Sequence, residues 1–347
     1  MVTAALAILG ECDGAFYDEA TFLISDNIRS LTDYGMVQYI PDGSYLEGTG
    51  YWNYGTNSFF RLCIALDNAA GTNYGLMDTW GIDQTCYFAC HTESSDGRTF
   101  NYHDGSMGGQ DTSFFFYVAQ TFNDPTLYDV RYNQIRLNMK WAEFVDLMYY
   151  PRDLDSIRGE DIVLDYYSDN IDLFATRSGW ETGSLFAAII GGKNKITHGQ
   201  IDAGDFVYHN AGNVWIIDLG TEDYNCAGFW PDATRYRFYV MKPEGNNTIA
   251  ISTDPTNTPF GQVLNSEADA FDWGSNEYGA YVLYNMTETL GPTVTRWERG
   301  MMLTNDRKTT IIQDQITIGS MQTVWWFAHY YSQRGNPHAL REYQCID

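Results

Sequence analysis

Three polar residues at alternate positions, His198, Gln200 and Asp202, lie in the segment HGQID and could do chemistry together. Alternate side chains of a β-strand point to the same face, so this spacing predicts three neighbouring polar groups. An imidazole can take up or release a proton near neutral pH. His198 is therefore a candidate acid or base.

Oxygen-bearing side chains flank the next apolar runs of the sequence. Asp218 ends the run NVWIID, and Asn246 precedes the run NTIAIS. Together with Gln200, they could supply oxygen ligands to a hard cation such as Ca²⁺ or Mn²⁺, but they lack the nitrogen and sulfur ligands typical of zinc. The alternative is a polar hydrogen-bond network across strand ends, and the spacing alone favours that network.

A second group of candidates lies in the segment PDGSYLEGTGYWNYG, residues 41–55. If a helix begins after Ser44, then Glu47, Tyr51 and Tyr54 lie on neighbouring turns of one helix. Tyrosines at this spacing are more typical of a core or of a surface that stacks on glycans than of catalysis.

A third group, Tyr102, His103 and Asp104, lies in the glycine-rich segment RTFNYHDGSMGG. These residues could line a cleft. The spacing favours a loop whose polar groups satisfy one another.

The elements that must position these groups change in character near the middle of the chain. Apolar residues recur every three or four positions up to about residue 150, which predicts amphipathic helices. Short alternating runs follow, among them SLFAAIIGG, DFVYHN, RYRFYVM and AYVLYNM, and they predict an antiparallel sandwich. We therefore predict a helical domain over residues 1–160 and a β-sandwich domain over 161–347, with the linker at 150–160.

Composition excludes several functional classes. The formal charge of −25, from 20 basic and 45 acidic residues, argues against nonspecific binding to nucleic acid. No apolar run reaches the roughly 20 residues of a membrane span. Six cysteines are too few for a disulfide scaffold in a chain of 347 residues, and we interpret Cys86 and Cys90 as core thiols of a helix.

Five segments in order resemble one family: DGSYLEGTGYWNYG, FATRSGW, NKITHGQIDAGDF, WIIDLGTEDYN and EGNNTI. The chain is similar to the heparinase II/III-like polysaccharide lyases, a group that includes alginate lyases and is related to dermatan sulfate epimerase. The resemblance implies a partial (α/α) toroid followed by an antiparallel β-sandwich. It also implies an acidic polysaccharide substrate and a secreted or periplasmic protein of a bacterium.

The chemistry that the resemblance implies is β-elimination at a uronic acid, which requires no cofactor. A base removes the C5 proton, an acid protonates the leaving O4, and the carboxylate is neutralised. Tyr51 matches the family's catalytic tyrosine and would be the base, the acid or both, with Tyr54 as the fallback. His198 matches the histidine that faces this tyrosine, as partner base or neutralising donor.

Substrate contacts are further expectations of the resemblance. Trp52, Trp180 and Trp230 could stack on sugar faces. The full set of expected substrate-binding residues is Glu47, Tyr54, Tyr102, Arg177, Trp180, Lys193, Lys195 and Tyr224. A uronyl C5-epimerase and a non-catalytic glycan-binding protein remain alternatives, and a hydrolase is less favoured because no pair of carboxylates is placed for it.

The sequence departs from the family pattern in two places. Relatives have His-Gly-His at 198–200 and His-Asn-Thr at 246–248, where this chain has Gln200 and Asn246, so zinc is not expected. Either a weaker Ca²⁺ or Mn²⁺ site or, as we prefer, a metal-free network with Asp218 would brace the strand that carries His198.

The residue that neutralises the substrate carboxylate would fall at or before Met1. The ends AALAIL and REYQCID also interrupt the predicted elements, so we expect a fragment. The oligomeric state is not indicated.

Overall fold

The computed structural model describes residues 1–152, 159–252, 261–319 and 323–330. Part of the predicted linker (153–158) and the terminal segment REYQCID lie outside these ranges. The chain forms two compact units. The first comprises residues 1–46, 51–90 and 110–162, and the second comprises residues 47–50, 91–109 and 163–347. The sequence did not predict that 47–50 and 91–109 join the second unit.

The first unit is built of helices, as the three-and-four spacing predicts. They are α1 (Val2–Leu9), α2 (Gly14–Ser30), α3 (Thr49–Ala70), α4 (Thr85–Thr92), α5 (Phe115–Phe122), α6 (Pro125–Arg136) and α7 (Phe144–Tyr149). Asp124 caps α6 by accepting hydrogen bonds from the amides of Thr126 (2.9 Å) and Leu127 (3.1 Å). The α4 thiols Cys86 and Cys90 are unbridged, and burial raises the pKa of Cys86. No helix in the described ranges is long and apolar enough to cross a membrane.

Trp52 belongs to the core of this unit and does not face solvent. Its ring is fully buried between Phe88 and Phe114, with centroids 6.3 and 6.0 Å away, and its Nε1–H donates to Thr85 Oγ1 at 2.7 Å. The expectation that Trp52 stacks on a sugar is therefore wrong, because the face of α3 that carries it is the buried one. Glu47 also precedes α3 instead of lying on it, since the helix begins only at Thr49.

The second unit contains antiparallel sheets. One sheet has the order β1-β2-β3-β5-β6, from strands β1 (Asp165–Ser168), β2 (Leu173–Arg177), β3 (Phe186–Ile190), β5 (Phe206–Asn210) and β6 (Asn213–Ile216). The other has the order β11-β10-β9-β8-β4, from β4 (Gly192–Lys193), β8 (Glu267–Asn276), β9 (Gly279–Asn285), β10 (Val294–Thr304) and β11 (Thr309–Ile318). A two-stranded sheet pairs β7 (Ile249–Ser252) with β12 (Thr323–Trp326).

One hydrophobic core takes side chains from both five-stranded sheets. Phe174 and Ile189 come from the first sheet, and Val282, Trp297 and Met301 come from the second. All five are buried. Alternation along β10 and β11 accounts for this arrangement, because every second side chain of an antiparallel strand faces the same side.

Two segments that were predicted as strands are not strands. RYRFYVM begins at the last residue of the short helix α8 (Asp232–Arg235) and ends in a 3₁₀ turn, Tyr239–Met241. Its apolar residues Tyr236, Val240 and Met241 pack into a small core of their own, at a spacing that suits turns as well as strands. HGQID is a loop, in which His198 has a φ of +61°. The shared strand face expected for His198, Gln200 and Asp202 is therefore absent.

The burial of Trp52 leads to a stability prediction. Trp52→Ala leaves a cavity and removes the hydrogen bond to the Thr85 hydroxyl, so we expect the free energy of unfolding in urea to fall by about 3–5 kcal/mol. Tyr54→Ala, on the same helix but 75% exposed, should change it by no more than about 0.5 kcal/mol. Equal effects of the two substitutions would contradict the assignment of Trp52 to the core.

Candidate functional site

The segment 91–109 is folded so that Asp104 points into the second unit. Thr99 Oγ1 donates to the carbonyls of Ser106 (2.8 Å) and Gly108 (3.0 Å), which closes the loop on itself. Thr49 Oγ1 donates to Phe100 O at 2.9 Å and anchors the residues before α3 to the same loop. The loop is thus tied at several points around Asp104.

The Asp104 carboxylate is fully buried and is the centre of a polar cluster. Arg235 Nη2 donates to both carboxylate oxygens at 2.7 Å. Tyr224 OH donates to Oδ2 at 2.9 Å, and Thr221 Oγ1 donates to Oδ1 at 3.2 Å. Charge-assisted hydrogen bonds of this kind compensate the loss of hydration of a buried carboxylate.

His198 is attached to this cluster through both its side chain and its backbone. Its Nδ1 lies 3.3 Å from Asp104 Oδ2, and its carbonyl accepts from the Asp104 amide at 3.1 Å. The His198 side chain is 18% exposed, whereas that of Asp104 is 0% exposed. A partly exposed imidazole on a buried, ionised support is an arrangement suited to proton transfer.

Aromatic rings surround His198. The ring of Tyr224 is nearly parallel to that of His198, at 6.3 Å and 18°, and the ring of Trp230 is nearly perpendicular to it, at 6.4 Å and 82°. Trp230 is 58% exposed, while Phe229 beneath it is buried and lies 4.5 Å from the Arg235 guanidinium carbon. Trp230 therefore offers an exposed apolar surface beside the imidazole.

The other two polar residues of HGQID, Gln200 and Asp202, contact the loop that carries Asp104. Asp202 Oδ2 lies 2.8 Å from His103 Nδ1 and accepts from the His103 amide at 3.1 Å. Gln200 Nε2 donates to the carbonyls of His103 (2.6 Å) and Gly220 (3.0 Å). Gly220 is required there, because a Cβ would lie 2.8 Å from the carbonyl oxygen of Gly105. Residues 198–202 and 101–105 are thus held together side by side.

Several buried oxygens near Gln200 have no hydrogen-bond partner among the described residues. They belong to the residues predicted as cation ligands and to one neighbour: Gln200 Oε1, Asp218 Oδ2, Asn246 Oδ1 and Asp205 Oδ2. The other carboxylate oxygens accept from backbone amides, Asp205 Oδ1 from Asn247 and Asp218 Oδ1 from Gly220, each at 2.5 Å. Unsatisfied buried acceptors of this kind require a proton, a water or a cation.

Burial raises the pKa of both carboxyls, and repulsion adds to the rise, from Asp202 at Asp205 and from Asp205 at Asp218. The pKa of Asp205 is raised to about 7, and that of Asp218 well above its usual value. A proton shared between the two would satisfy both carboxyls. Carboxylate and amide oxygens are also the ligands that hard cations bind. No group of three His, Cys, Asp or Glu side chains in the described ranges could hold a metal ion, so a cation would depend on the amide oxygens of Gln200 and Asn246.

Two residues expected to bind substrate are buried. Tyr102 is fully buried, and Arg177 is 1% exposed. Arg177 Nη2 donates to the carbonyls of His91 (3.0 Å) and Glu93 (3.1 Å), and its guanidinium carbon lies 3.7 Å from the ring centre of Trp180. The expected substrate contacts of Tyr102 and Arg177 are therefore wrong, because both side chains are buried. The Arg177 guanidinium makes its contacts inside the second unit.

The remaining expected contacts are distributed over both units. Lys193 forms an ion pair with Glu267 at 3.3 Å, and Lys195 is exposed. Trp180 is half-buried and stacks on the Arg177 guanidinium. Tyr51 lies in the first turn of α3, and Tyr54 follows one turn later. Tyr224, one of the expected binding residues, contacts both His198 and Asp104.

The sequence favoured a loop in which Asp104 and its neighbours satisfy one another, and it did not single out Arg235. In the structure, the partners of Asp104 come from distant positions, 94 residues away for His198 and 131 for Arg235. No spacing rule connects residues so far apart. An acidic residue in a glycine-rich turn that also carries a histidine was the one local signal.

Comparison with known proteins identifies the fold. No protein-family model and no curated protein sequence matches the chain. Among solved structures, it is similar to heparan sulfate lyase HepC from Pedobacter heparinus (TM-score 0.61, 14% identity, 91% of this chain and 44% of that one). It is also similar to the heparinase III BT4657 gene product (TM-score 0.67, 16% identity, 93% and 45%) and to another heparinase III (TM-score 0.65, 12%, 93% and 47%).

These similarities show that the chain has the fold of the heparinase III and heparan sulfate lyase structures. The resemblance predicted from five sequence segments is confirmed at that level. The chain spans less than half the length of each of these structures.

The Asp205–Asp218 pair gives a pH prediction. The folded-state pKa of Asp205, about 7, lies above its ordinary value of 3.8, so the folded state binds more protons between these limits. Its contribution to stability is complete below about pH 4 and is lost as the pH rises through 7, at about 1.4 kcal/mol per pH unit for each proton. Urea unfolding in chelator at pH 5 to 8 should show this loss.

A matched pair of variants isolates the effect. Asp205→Asn supplies an amide N–H in place of the shared proton, so its stability should depend less on pH. Asp172→Asn serves for comparison, because Asp172 lies outside this cluster and its pKa is also raised by burial, to about 6, so this variant should lower the pH dependence only by its own contribution. An unchanged pH slope in Asp205→Asn would contradict the shared proton.

Proposed function

We propose that this protein is a polysaccharide lyase that cleaves a uronic-acid-containing glycan by β-elimination. The observation that carries the proposal is a partly exposed histidine, His198, held by a buried carboxylate in a chain with the heparinase III fold. We further propose that the helical unit corresponds to part of an (α/α) toroid and that the two five-stranded sheets form the β-sandwich. The core common to both sheets supports the second assignment.

The substrate class follows from the similar structures and from the surface near His198. Two of those structures are described as heparan sulfate lyase and heparinase III. We propose an acidic glycosaminoglycan as the substrate and a bacterial periplasm or exterior as the location. Exposed Lys195 and Trp230 would contact its acidic groups and sugar faces.

The reaction requires two proton transfers, one from C5 and one to O4, and each needs its own side chain. Removal of the C5 proton of the uronate places charge on the carboxylate, and departure of O4 requires a proton. We propose Tyr51 and His198 for these two steps. The ordinary pKa of a phenol, about 10, suits donation to the leaving oxygen better than removal of a proton.

A direct test measures the ultraviolet absorbance of the unsaturated product. The full-length natural protein would be incubated with heparan sulfate, dermatan sulfate, hyaluronan and alginate. We expect absorbance to rise with one of these polymers. Tyr51→Phe and His198→Ala should each lower kcat by at least about 100-fold, since each removes a proton-transfer group.

The control for this test is Tyr74→Phe, an exposed phenol on the helical unit that should leave the rate unchanged. Glycan binding without unsaturated product would support a binding protein instead. Exchange of the C5 proton without chain cleavage would support an epimerase.

As the alternative to the shared proton and the metal-free network, we propose that the oxygens of Gln200, Asp205, Asp218 and Asn246 bind a structural divalent cation, Ca²⁺ or Mn²⁺, when one is present. The unpartnered buried oxygens support it, and oxygen ligands suit both ions. Such an ion would link the loop after His198 to the segments that carry Asp218 and Asn246. It would supply no catalytic step.

Thermal unfolding tests whether a divalent cation binds to these oxygens. After EDTA treatment, adding Ca²⁺ or Mn²⁺ should raise Tm by a few degrees, more at pH 8 than at pH 5, because protons compete for the same carboxylates. Asp218→Asn should remove the response, whereas Asp172→Asn should keep it. No bound metal by mass spectrometry and no change in Tm would leave the metal-free network.

A further inference from the structure

The His198 ring nitrogen Nδ1 faces a group that can only accept hydrogen bonds. Asp104 Oδ2 lies 3.3 Å away, and Arg235 donates to both oxygens of the same carboxylate at 2.7 Å. A guanidinium remains charged at any pH that a folded protein meets, and it pairs with an ionised carboxylate. The hydrogen between His198 and Asp104 therefore belongs to Nδ1.

Tyr224 is the competing neighbour. Its hydroxyl lies 2.9 Å from Asp104 Oδ2 and 3.4 Å from His198 Nδ1. A hydroxyl has one proton to donate, and the shorter contact to a charged acceptor is the stronger one. Tyr224 therefore donates to Asp104. If it donated to Nδ1 instead, the imidazole would have the opposite tautomer.

The backbone of the His198 turn is fixed by the same two residues. His198 has a φ of +61°, a region that is unfavourable for a residue with a side chain. The Asp104 amide donates to the His198 carbonyl at 3.1 Å, and Arg235 Nη2 donates to the Gly199 carbonyl at 3.1 Å. The pair thus holds the left-handed turn as well as the ring.

We propose that Asp104, with its charge balanced by Arg235, is a positioning residue that holds His198 as the Nδ1–H tautomer and directs Nε2 to the substrate as the base. This rests on the lyase function proposed above. It decides between the two roles open to His198, because a ring whose Nε2 carries the lone pair accepts a proton and cannot donate one to the substrate carboxylate. Tyr51 then becomes the acid.

The resulting step is balanced. The Nε2 lone pair takes the C5 proton, the electrons of the C5–H bond form the C4=C5 double bond, and the C4–O4 bond breaks. O4 takes the phenolic proton of Tyr51. Proton exchange with solvent then returns the imidazolium and the phenolate to their starting states. No oxidant, reductant or further reactant is consumed.

Nuclear magnetic resonance of the imidazole groups tests the tautomer without requiring turnover. The complete protein, labelled at histidine with ¹⁵N and ¹³C, would be measured at about pH 8, where histidine is ordinarily neutral. His198→Gln assigns the His198 signals. We expect the Nδ1–H pattern for His198. His103, whose Nδ1 faces Asp202 at 2.8 Å, should give the same pattern and serves as an internal reference.

Substitution of Asp104 tests whether this residue sets the tautomer of His198 and thereby affects kcat. Asp104→Asn should remove the Nδ1–H preference of His198, leave the His103 signals unchanged, and lower kcat by about 10- to 100-fold with KM within about threefold. Because this variant leaves Arg235 buried without its partner, Asp104→Asn/Arg235→Gln provides a charge-neutral second variant with the same expected result. Asp96→Asn is the matched control, because it makes the same change in the segment 91–109 at a carboxylate that accepts from the Gly183 amide (3.1 Å), and it should keep both the tautomer and kcat.

Each outcome decides the proposal. An Nε2–H tautomer of His198 in the natural protein would overturn it, and so would an unchanged kcat in both Asp104 variants. A protein that shows the Nδ1–H tautomer but makes no unsaturated product from any uronate polymer would refute the lyase function, and with it the role of Nε2 as base. The failures of the two proposals are therefore distinguishable.

Discussion

Burying an ionised carboxylate is costly unless a cation and several donors surround it, and the candidate site is organised by this requirement. Asp104 meets it with Arg235 and with hydroxyl or ring donors from three other residues: Thr221, Tyr224 and His198. These partners come from separate segments of the chain. The carboxylate therefore determines where four segments meet, and removal of one charge leaves the other buried and unpaired. These contacts fix the position of the partly exposed imidazole of His198.

The unpartnered buried oxygens of Gln200, Asp205, Asp218 and Asn246 belong to a second cluster, which reaches the loop that carries His198 through Gln200. Gln200 is two residues beyond His198 and donates to the backbone of the Asp104 loop, while its own oxygen remains unpartnered. The protonation or cation occupancy of Asp205 and Asp218 thus bears on the loop that carries His198. Stability and the geometry of the candidate base are therefore coupled through a few residues.

The sequence was most informative where the spacing of apolar residues determines the secondary structure. Three-and-four spacing predicted the helices of the first half, and alternation predicted most strands of the second. RYRFYVM was misread because alternation over seven residues also fits a short helix followed by a turn. Trp52 was misread because a motif gives no sign of which helix face is buried. The Asp104–Arg235 contact could not be predicted, since 131 residues separate the partners.

The central claim is that the protein removes the C5 proton of a uronate and expels O4. Mass spectrometry of the products of a reaction run in ²H₂O tests it most directly. β-Elimination predicts shorter chains whose new non-reducing ends have the mass of an unsaturated uronate and carry no deuterium at C5. Intact chains that gain deuterium at C5, or shorter chains with the mass of a hydrolysed uronate, would contradict the account.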